Sequence, residues 1–439
     1  MNSKKFIKLA TESGLSASLI TVSKVSHLSF SLFHGEVDSY SKSSTSKILA
    51  SGIYKGKLAS ASTEKDDTTT AQFLIDQIKE GASLIEKKEK PEIFKGSKRY
   101  HKKNLYSKEL AAWEDSKKLK ILHELEDTLK SLDPRVSEVE VSFSETDSDY
   151  SFTNSYGLNL KNKSNYYYFY GSVVVKDGEE TKSYGDIFLD SDPAKFNVKE
   201  FAKQIVENAI NLLHGTGLKS KKYKAVLNQD VVSSLLNALL SNVSAEKVQK
   251  HSSLLEGKLG QQVLSKKISI EERPLEKNCF FSYFDDEGVA TTNKKVFSRG
   301  KLLTYFYNLE TAAKDGVEST GNAARGGGKM GISFNNIVLK PGKLSEKQLF
   351  EKIKNGVYIT SISGLHAGLN DTSGDFSLQA EGYHVKDGEK AGPLTLITIA
   401  GNLYNVFKDV IAVGSNSKLT LSSTTTPSIA VKNISVNAE

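Results

Sequence analysis

Two histidines and three carboxylates lie close together in the stretch GLHAGLNDTSGDFSLQAEGYH. His366 precedes Asp371 and Asp375, and Glu381 precedes His384. Histidine and carboxylate side chains are common zinc ligands, so this stretch has the residue types of a metal site. The alternation in FSLQAEGYHV, however, predicts a strand that places Glu381 and His384 on opposite faces. We therefore predict glycine-punctuated β-structure here and no metal site.

Other catalytic patterns in the sequence are incomplete. His123-Glu124 is the single His-Glu pair, and no second histidine follows it as a helical zinc peptidase requires. GGGKMG (326–331) has the spacing of a dinucleotide fingerprint, but the residues after it predict a strand instead of a helix. What remains is a tight glycine loop, which can bring backbone N–H groups close to a ligand. Cys279 lies beside two phenylalanines and is interpreted as a buried, unreactive thiol.

The size and composition of the chain predict a cytoplasmic protein of more than one domain. It has 439 residues, of which 38% are hydrophobic and 25% charged, values typical of globular proteins. No run of 18 apolar residues is present, so neither a transmembrane helix nor a membrane partner is expected. The start of the chain has no apolar region of a signal peptide. With one cysteine, no intrachain disulfide can form.

The first half of the chain repeats one order of patterns twice, with a basic linker near 87–105 between the repeats. Alternating runs predict two antiparallel meanders. Helical spacing predicts helices that flank these meanders, near 3–13, 68–87, 107–131 and 197–215. We therefore predict an N-terminal α/β domain over residues 1–217.

The second half is rich in β-strand patterns. One apolar helix, VVSSLLNALLSNV, is followed by short alternating runs dense in Gly, Ser, Thr and Asn. This composition is typical of a barrel or a sandwich. We predict a β-rich C-terminal domain over residues 222–439, so the fold class is α+β with two domains.

Several motifs follow one another in an order that resembles a known family. STGNAARGGG, FDDEGVAT, GVYITSISGLHAGLNDTSGDFSLQAEGYHV, TIAGNLYNVF and TPSIAV together resemble the C-terminal domain of the TldD/PmbA family, specifically its PmbA (TldE) branch. SFTNSYGLNL and LASASTE resemble the N-terminal domain of that family. The resemblance covers most of the chain.

The resemblance implies a division of roles between two subunits. The TldD branch carries H-E-x-x-x-H on a helix, has a late cysteine and binds catalytic zinc. The PmbA branch lacks this motif and pairs with TldD, and the pair degrades unfolded peptides and trims peptide precursors. Modulator of DNA gyrase is an older name for the family.

Carried over to this sequence, the His-Glu pair of the zinc motif would fall near Asn237 and Ala238. The resemblance therefore implies that this chain has no catalytic residue and no cofactor of its own. It implies a dimer, in which the partner is a TldD-like homologue or a second copy of this chain, and it implies that zinc is bound by a TldD-type partner.

The candidate residues for binding an unfolded peptide lie in the second half of the chain. Glycine loops and strand edges suit this task because an extended peptide is held through its backbone. The candidates are Arg325, Gly326, Gly327, Gly328, Asn335, Asn336, Asp286, Glu287, His366, Asp375 and Ser377. Plain structural roles compete with this interpretation: the glycines would shape a barrel corner, residues 285–287 would form a solvated turn before Gly288, and Asp375 would cap the turn at Gly374.

Two other functions stay open at this point. His366 with Asp371 or Asp375 would be a general base pair in a self-sufficient hydrolase. The basic segment 87–103 would be the contact surface of a nucleic-acid-binding protein, although no base-reading motif follows it. Binding of nucleic acid is therefore the least expected of the three functions.

Overall fold

The computed structural model describes residues 2–86, 92–326 and 329–438, and it is a mixed α+β structure. The N-terminal helices are α1 (Ser3–Glu12), α2 (Thr70–Leu84), α3 (Lys108–Ala111), α4 (Asp115–Ser131) and α5 (Val198–Ile210). The N-terminal strands are β1 (Ala17–Phe33), β2 (Glu36–Tyr54), β3 (Lys57–Thr63), β4 (Val136–Asn154), β5 (Asn159–Asp177) and β6 (Glu180–Asp190).

The two predicted meanders form one antiparallel sheet with the strand order β3-β2-β1-β4-β5-β6. β1 and β4 pair at the centre of this sheet. Each meander therefore contributes three of the six strands, and the sheet curves into a half-barrel. Phe30 lies opposite Phe143, which in turn lies opposite Phe169. These rings and their neighbours are buried against α4 and α5, while α1 and α2 pack on the same face of the sheet further along.

The helix predicted over 107–131 is wrong in one respect, because it is two helices, α3 and α4. Between them Trp113 packs edge-on against Phe143, Tyr167 and Phe169, with ring centroids 5.3 to 6.2 Å apart. Burial of this large ring turns the chain at a point where the sequence has no helix breaker.

The C-terminal part contains shorter elements. Its helices are α6 (Gln229–Ser241), α7 (Ala245–Gln249), α8 (Leu309–Asp315), α9 (Glu346–Ile353), α10 (Leu365–Gly368) and α11 (Leu403–Lys408). Its strands are β7 (Lys221–Leu227), β8 (Ile270–Glu272), β9 (Lys294–Ser298), β10 (Lys301–Leu302), β11 (Ala323–Gly326), β12 (Lys329–Ile332), β13 (Ile337–Leu339), β14 (Gly356–Ser363), β15 (Asp375–Lys386), β16 (Glu389–Pro393), β17 (Ile397–Asn402), β18 (Val410–Val413), β19 (Lys418–Leu419), β20 (Thr424–Thr426) and β21 (Ile429–Ala438).

Five of these strands close into a barrel in the order β14-β7-β21-β17-β15, with β15 pairing back to β14. Of the two predicted architectures, barrel and sandwich, the barrel is therefore the one observed. A second sheet, β10-β9-β8-β13-β20-β19, lies beside it. Helix α6 begins at the N-cap Asn228, whose side chain accepts a hydrogen bond from the Val231 N–H group, and its apolar side chains are buried in the core. Among the described helices, none has the length and apolarity needed to cross a membrane.

The two halves of the chain meet at an aromatic cluster and an ion pair. Phe152 and Leu160 of the N-terminal sheet pack against Phe281 and Tyr283. Separately, the Lys418 ammonium group bridges Asp186 on β6, at 2.7 Å, and Asp230 in the first turn of α6, at 3.0 Å.

Candidate functional site

The loop Asp285–Val289 is bound to the hairpin of β11 and β12 through its first carboxylate. Asp285 is 6% exposed, and its carboxylate accepts hydrogen bonds from the backbone N–H groups of Glu287, Val289 and Ala323 at 2.9 to 3.0 Å. Burial, aided by the Glu287 carboxylate, raises the pKa of Asp285 to about 7. The interpretation of residues 285–287 as a solvated turn is therefore wrong for Asp285.

Asp286 joins the hairpin to the N-terminal sheet. Its carboxylate accepts a hydrogen bond of 2.7 Å from the Arg325 N–H group, and its charge acts on the Tyr150 hydroxyl. The Tyr150 ring also stacks on Phe284, with centroids 5.7 Å apart. Burial and then the Asp286 charge raise the pKa of Tyr150, so the phenol stays protonated.

Glu287 connects the same loop to helix α8. Its carboxylate accepts a hydrogen bond of 2.8 Å from the Leu309 N–H group at the start of that helix. Burial raises the pKa of Glu287, while the charge of Arg325 opposes the shift. The predicted residues Arg325, Asp286 and Glu287 are thus brought together, as is Gly326 at the end of β11, whereas Gly327 and Gly328 lie outside the described residues.

A buried ion pair holds the two ends of the hairpin, because it is hydrogen-bonded to residues just before β11 and just after β12. Glu272 is 2% exposed, and its carboxylate pairs with the Lys294 ammonium group. It also accepts hydrogen bonds from the Asn322 side chain, at 2.7 Å, and from the Asn335 N–H group, at 2.9 Å. Burial raises the pKa of Glu272 even though Lys294 opposes the shift. The sequence interpretation missed this pair, because Glu272 and Lys294 meet only through the antiparallel register of β8 and β9.

The two predicted asparagines lie at the end of this network. The Asn335 amide donates to the Phe280 carbonyl at 2.7 Å. Asn336 is buried, adopts the left-handed conformation with φ +50°, and accepts a hydrogen bond of 2.8 Å from the Asn278 side chain. Each side chain therefore makes a bond that holds the chain just before β13, while the buried Nδ2 atom of Asn336 has no hydrogen-bond partner in the described structure.

The remaining three predicted residues form a separate group on α10 and β15. His366, Asp375 and Ser377 are all exposed. The Asp375 carboxylate accepts a hydrogen bond of 2.9 Å from the Asn402 side chain, and this bond, with one involving Ser373, lowers the pKa of Asp375. Among the described residues, no hydrogen bond or ion pair joins this group to Arg325. His384 is buried instead and lies 2.8 Å from the Thr216 hydroxyl.

The positions where the resemblance places the zinc motif carry no zinc ligand. Asn237 on α6 donates to the Ser422 hydroxyl at 2.8 Å and accepts from the Thr424 hydroxyl at 2.7 Å. Ala238 packs against the core, and Asn242 stands five residues after Asn237, where the second histidine would fall. Across residues 2–86, 92–326 and 329–438, no group of three or more His, Cys, Asp or Glu side chains is placed to hold a metal ion.

Comparison with known protein families accounts for most of the chain. The PmbA/TldA metallopeptidase C-terminal domain matches residues 220–438, and the PmbA/TldA metallopeptidase central domain matches residues 108–213. The chain belongs to the PmbA/TldD family. The resemblance inferred from the sequence motifs is thereby confirmed.

Individual relatives of this PmbA/TldD protein extend the match to nearly its full length. The metalloprotease PmbA homolog of Haemophilus influenzae is 27% identical over 437 residues, which cover 93% of this chain and 90% of the relative. The chain spans only 63% and 53% of the length of two other curated relatives that it matches.

Two solved structures share the fold. A Thermotoga maritima protein described as a modulator of DNA gyrase has a TM-score of 0.92 at 29% identity, with 99% of both chains covered. TldE from Thermococcus kodakarensis has a TM-score of 0.91 at 21% identity, also with 99% of both chains covered. The likeness to TldE is at the level of the fold.

Proposed function

We propose that this chain is a non-catalytic, TldE-like subunit of a two-chain zinc peptidase in the cytoplasm. In this role it binds unfolded peptides or peptide precursors, and a zinc-bearing homologue cleaves them. The proposal rests on family membership and on one observation, the side chains of α6. An amide at Asn237 and a methyl group at Ala238 replace the ligand and the general base of the zinc motif, and neither group can do that work.

The surroundings of Asn237 support the same proposal. Both ends of its amide are engaged by Ser422 and Thr424, and Thr424 is fully buried. A metal ion at this position would have to displace these bonds. The helix is therefore part of the core and has no free side chain at the position of the zinc ligand. This agrees with a subunit whose partner supplies the metal.

The peptide-binding role is supported by the hairpin that carries Arg325. The network of Asp285, Asp286 and Glu272 fixes the backbone of this hairpin, while the Arg325 side chain is half-exposed at its end. A fixed strand pair offers backbone groups to an extended chain. We assign Arg325 and Gly326 to peptide contact and the buried carboxylates to support of the hairpin.

The experiment separates the partner role from self-sufficient hydrolysis. The full chain is purified alone and together with an H-E-x-x-x-H homologue, and each sample is incubated with a labelled unstructured peptide, with and without a chelator. We expect cleavage only in the presence of the homologue, with loss on chelation, and zinc only in the sample that contains the homologue. Chelator-resistant cleavage by the lone chain, or stoichiometric zinc in it, would overturn the proposal.

Size-exclusion chromatography of the same samples identifies the partner. A complex with the zinc homologue supports a heterodimer, whereas a dimer of this chain alone supports self-association. A salt titration with single-stranded DNA tests the nucleic-acid alternative, for which affinity would fall steeply with salt.

A further inference from the structure

In the part of the chain that the structure describes, no helix packs on one face of the N-terminal sheet. The helices α1, α2, α4 and α5 all pack on the face that carries Phe30 and Ile20. Side chains alternate along a strand, so the intervening residues project from the opposite side. At one end of that side, Leu19, Phe152 and Leu160 are covered by Phe281 and its neighbours. Beyond this cover the same side of the sheet continues without a packed helix.

The remaining part is a lattice of sixteen positions, four on each of four strands, set by the registers of β2, β1, β4 and β5. We call it the hydroxyl face. Its four rows are Thr45–Val25–Ser148–Ser164, Ser43–His27–Thr146–Tyr166, Ser41–Ser29–Ser144–Tyr168 and Ser39–Ser31–Ser142–Tyr170. The four positions on β2 are exposed and the others are half-buried, except Ser144, which is 3% exposed.

The composition of the hydroxyl face is unusual for an uncovered sheet. Nine serines, two threonines and three tyrosines place a hydroxyl at fourteen of the sixteen positions. None of the sixteen is Asp, Glu, Lys or Arg, although 25% of the chain is charged, a share that predicts about four charges here. Charges begin in the adjoining rows, at Lys47 on β2 beyond Thr45 and at Glu140 on β4 beyond Ser142. A sheet face that only met solvent would carry interspersed charges.

The composition indicates which kind of molecule the face fits. Tyrosine gives contact area at low entropic cost and serine gives adaptable hydrogen bonds, the combination with which antibody loops bind polypeptides. The lack of cations excludes the phosphate contacts on which nucleic-acid binding depends. Ser31 and Ser39 share a hydrogen bond of 2.7 Å at the exposed side of the face, so these two hydroxyls can exchange partners with a ligand. Ser144 is 3% exposed and lies 3.3 Å from His27, so it belongs to the floor of the face.

Two features adjoin the face and favour an extended chain. In the described structure, β3 pairs with β2 only from Ile48 to Tyr54, so the outer edge of β2 over Glu36–Lys47 has no strand beside it. Unpaired main-chain groups of this kind bind extended peptides by strand addition. At the other side, Tyr166 contacts Phe280, with ring centroids 5.7 Å apart, which brings the face up to the loop that holds Arg325.

We propose that the hydroxyl face binds an extended, weakly charged polypeptide segment and leads it toward the hairpin of Arg325. This inference rests on the proposed peptide-binding function and names the surface and the substrate class. The occupant is an unfolded polypeptide, and a neutral oligosaccharide and a second copy of this chain are the alternatives that the test must separate.

The test uses two matched variants of the full chain. Ser41 and Ser44 are both exposed on β2, but Ser41 lies on the hydroxyl face opposite Ser29, whereas Ser44 lies opposite Ser26 on the other side. Binding of a fluorescent 20-residue peptide without charged residues is measured by anisotropy for wild type, Ser41→Arg and Ser44→Arg. We expect Ser41→Arg to weaken binding at least tenfold and Ser44→Arg less than twofold, with thermal midpoints unchanged.

Several outcomes would overturn the inference. These are no binding of the peptide by the wild-type chain, equal effects of the two variants, or binding of maltoheptaose in place of the peptide. Concentration-dependent dimerisation that Ser41→Arg abolishes, without an effect on the peptide, would assign the face to a second copy and also overturn it. If the zinc homologue co-purifies and cleaves while Ser41→Arg binds as wild type does, the face is wrong and the proposed function stands.

Discussion

Replacement of Lys294 by methionine should remove the partner of a carboxylate that is 2% exposed. Breaking a buried pair by removing one ion costs about 3–5 kcal/mol. Glu272 keeps hydrogen bonds from Asn322 and from the Asn335 N–H group, so we expect the lower end, about 3 kcal/mol. Lys295 is the matched control, because it is the next residue on β9 and is exposed. Lys295→Met should cost less than about 0.5 kcal/mol.

The pH dependence of this loss gives a second readout. Burial raises the pKa of Glu272 in the folded state, and loss of Lys294 removes an interaction that opposes this rise. A group with a raised folded pKa contributes stability that is present below its unfolded pKa and is lost as the pH rises through the folded pKa. Below its pKa the carboxyl is neutral and needs no counterion. The penalty of Lys294→Met should therefore be larger at pH 8 than at pH 5.

Urea denaturation followed by circular dichroism at pH 5 and pH 8 measures both effects. If Lys294→Met lowered the free energy of unfolding no more than Lys295→Met does, Glu272 would not depend on Lys294 as its counterion, and the prediction would be refuted. A penalty that is larger at pH 5 than at pH 8 would refute the assigned pKa direction.

Three further predictions concern single positions. A Cβ atom at Gly288, where φ is +82°, would lie 2.9 Å from the Phe152 ring, whereas one at Gly178, where φ is +61°, would meet open space. In urea titrations Gly288→Ala should therefore lower the free energy of unfolding by about 3 kcal/mol and Gly178→Ala by about 1 kcal/mol. Equal losses would contradict the close contact at Gly288. Asn237→Ala should lower the free energy of unfolding by about 1–2 kcal/mol, because it removes the hydrogen bonds to Ser422 and Thr424. Ser234→Ala on the same helix should lower it by about a few tenths of a kcal/mol at most. If Asn237→Ala left the free energy of unfolding unchanged, these bonds would not stabilise the fold. Burial raises the pKa of Cys279 to about 12. At pH 8 iodoacetamide should therefore alkylate Cys279 in the folded chain at least tenfold more slowly than it alkylates glutathione. Alkylation of both thiols at an equal rate, before the chain is unfolded in urea, would disprove a protonated Cys279.

Much of the fold followed from periodicity. Alternation in β1, β4 and β5 and the apolar spacing of α4, α5 and α6 are local properties, and a strand or helix that must bury one face displays them in its sequence. The break at Trp113 was not predictable, because only the aromatic neighbours of its ring turn the chain there. That the two meanders form a single sheet was equally hidden, since strand order depends on contacts between β1 and β4, which are more than one hundred residues apart.

The sequence by itself determined the family, the fold class and the lack of zinc ligands near Asn237, because motifs and residue types are read directly along the chain. Only the tertiary structure decided that Arg325, Asp286 and Glu287 meet while His366, Asp375 and Ser377 lie elsewhere. The same holds for the Glu272–Lys294 pair and for the uncharged lattice of hydroxyls across four strands. The physical reason is that strand register brings together residues that are distant in sequence, and register depends on the burial of the whole sheet face at once.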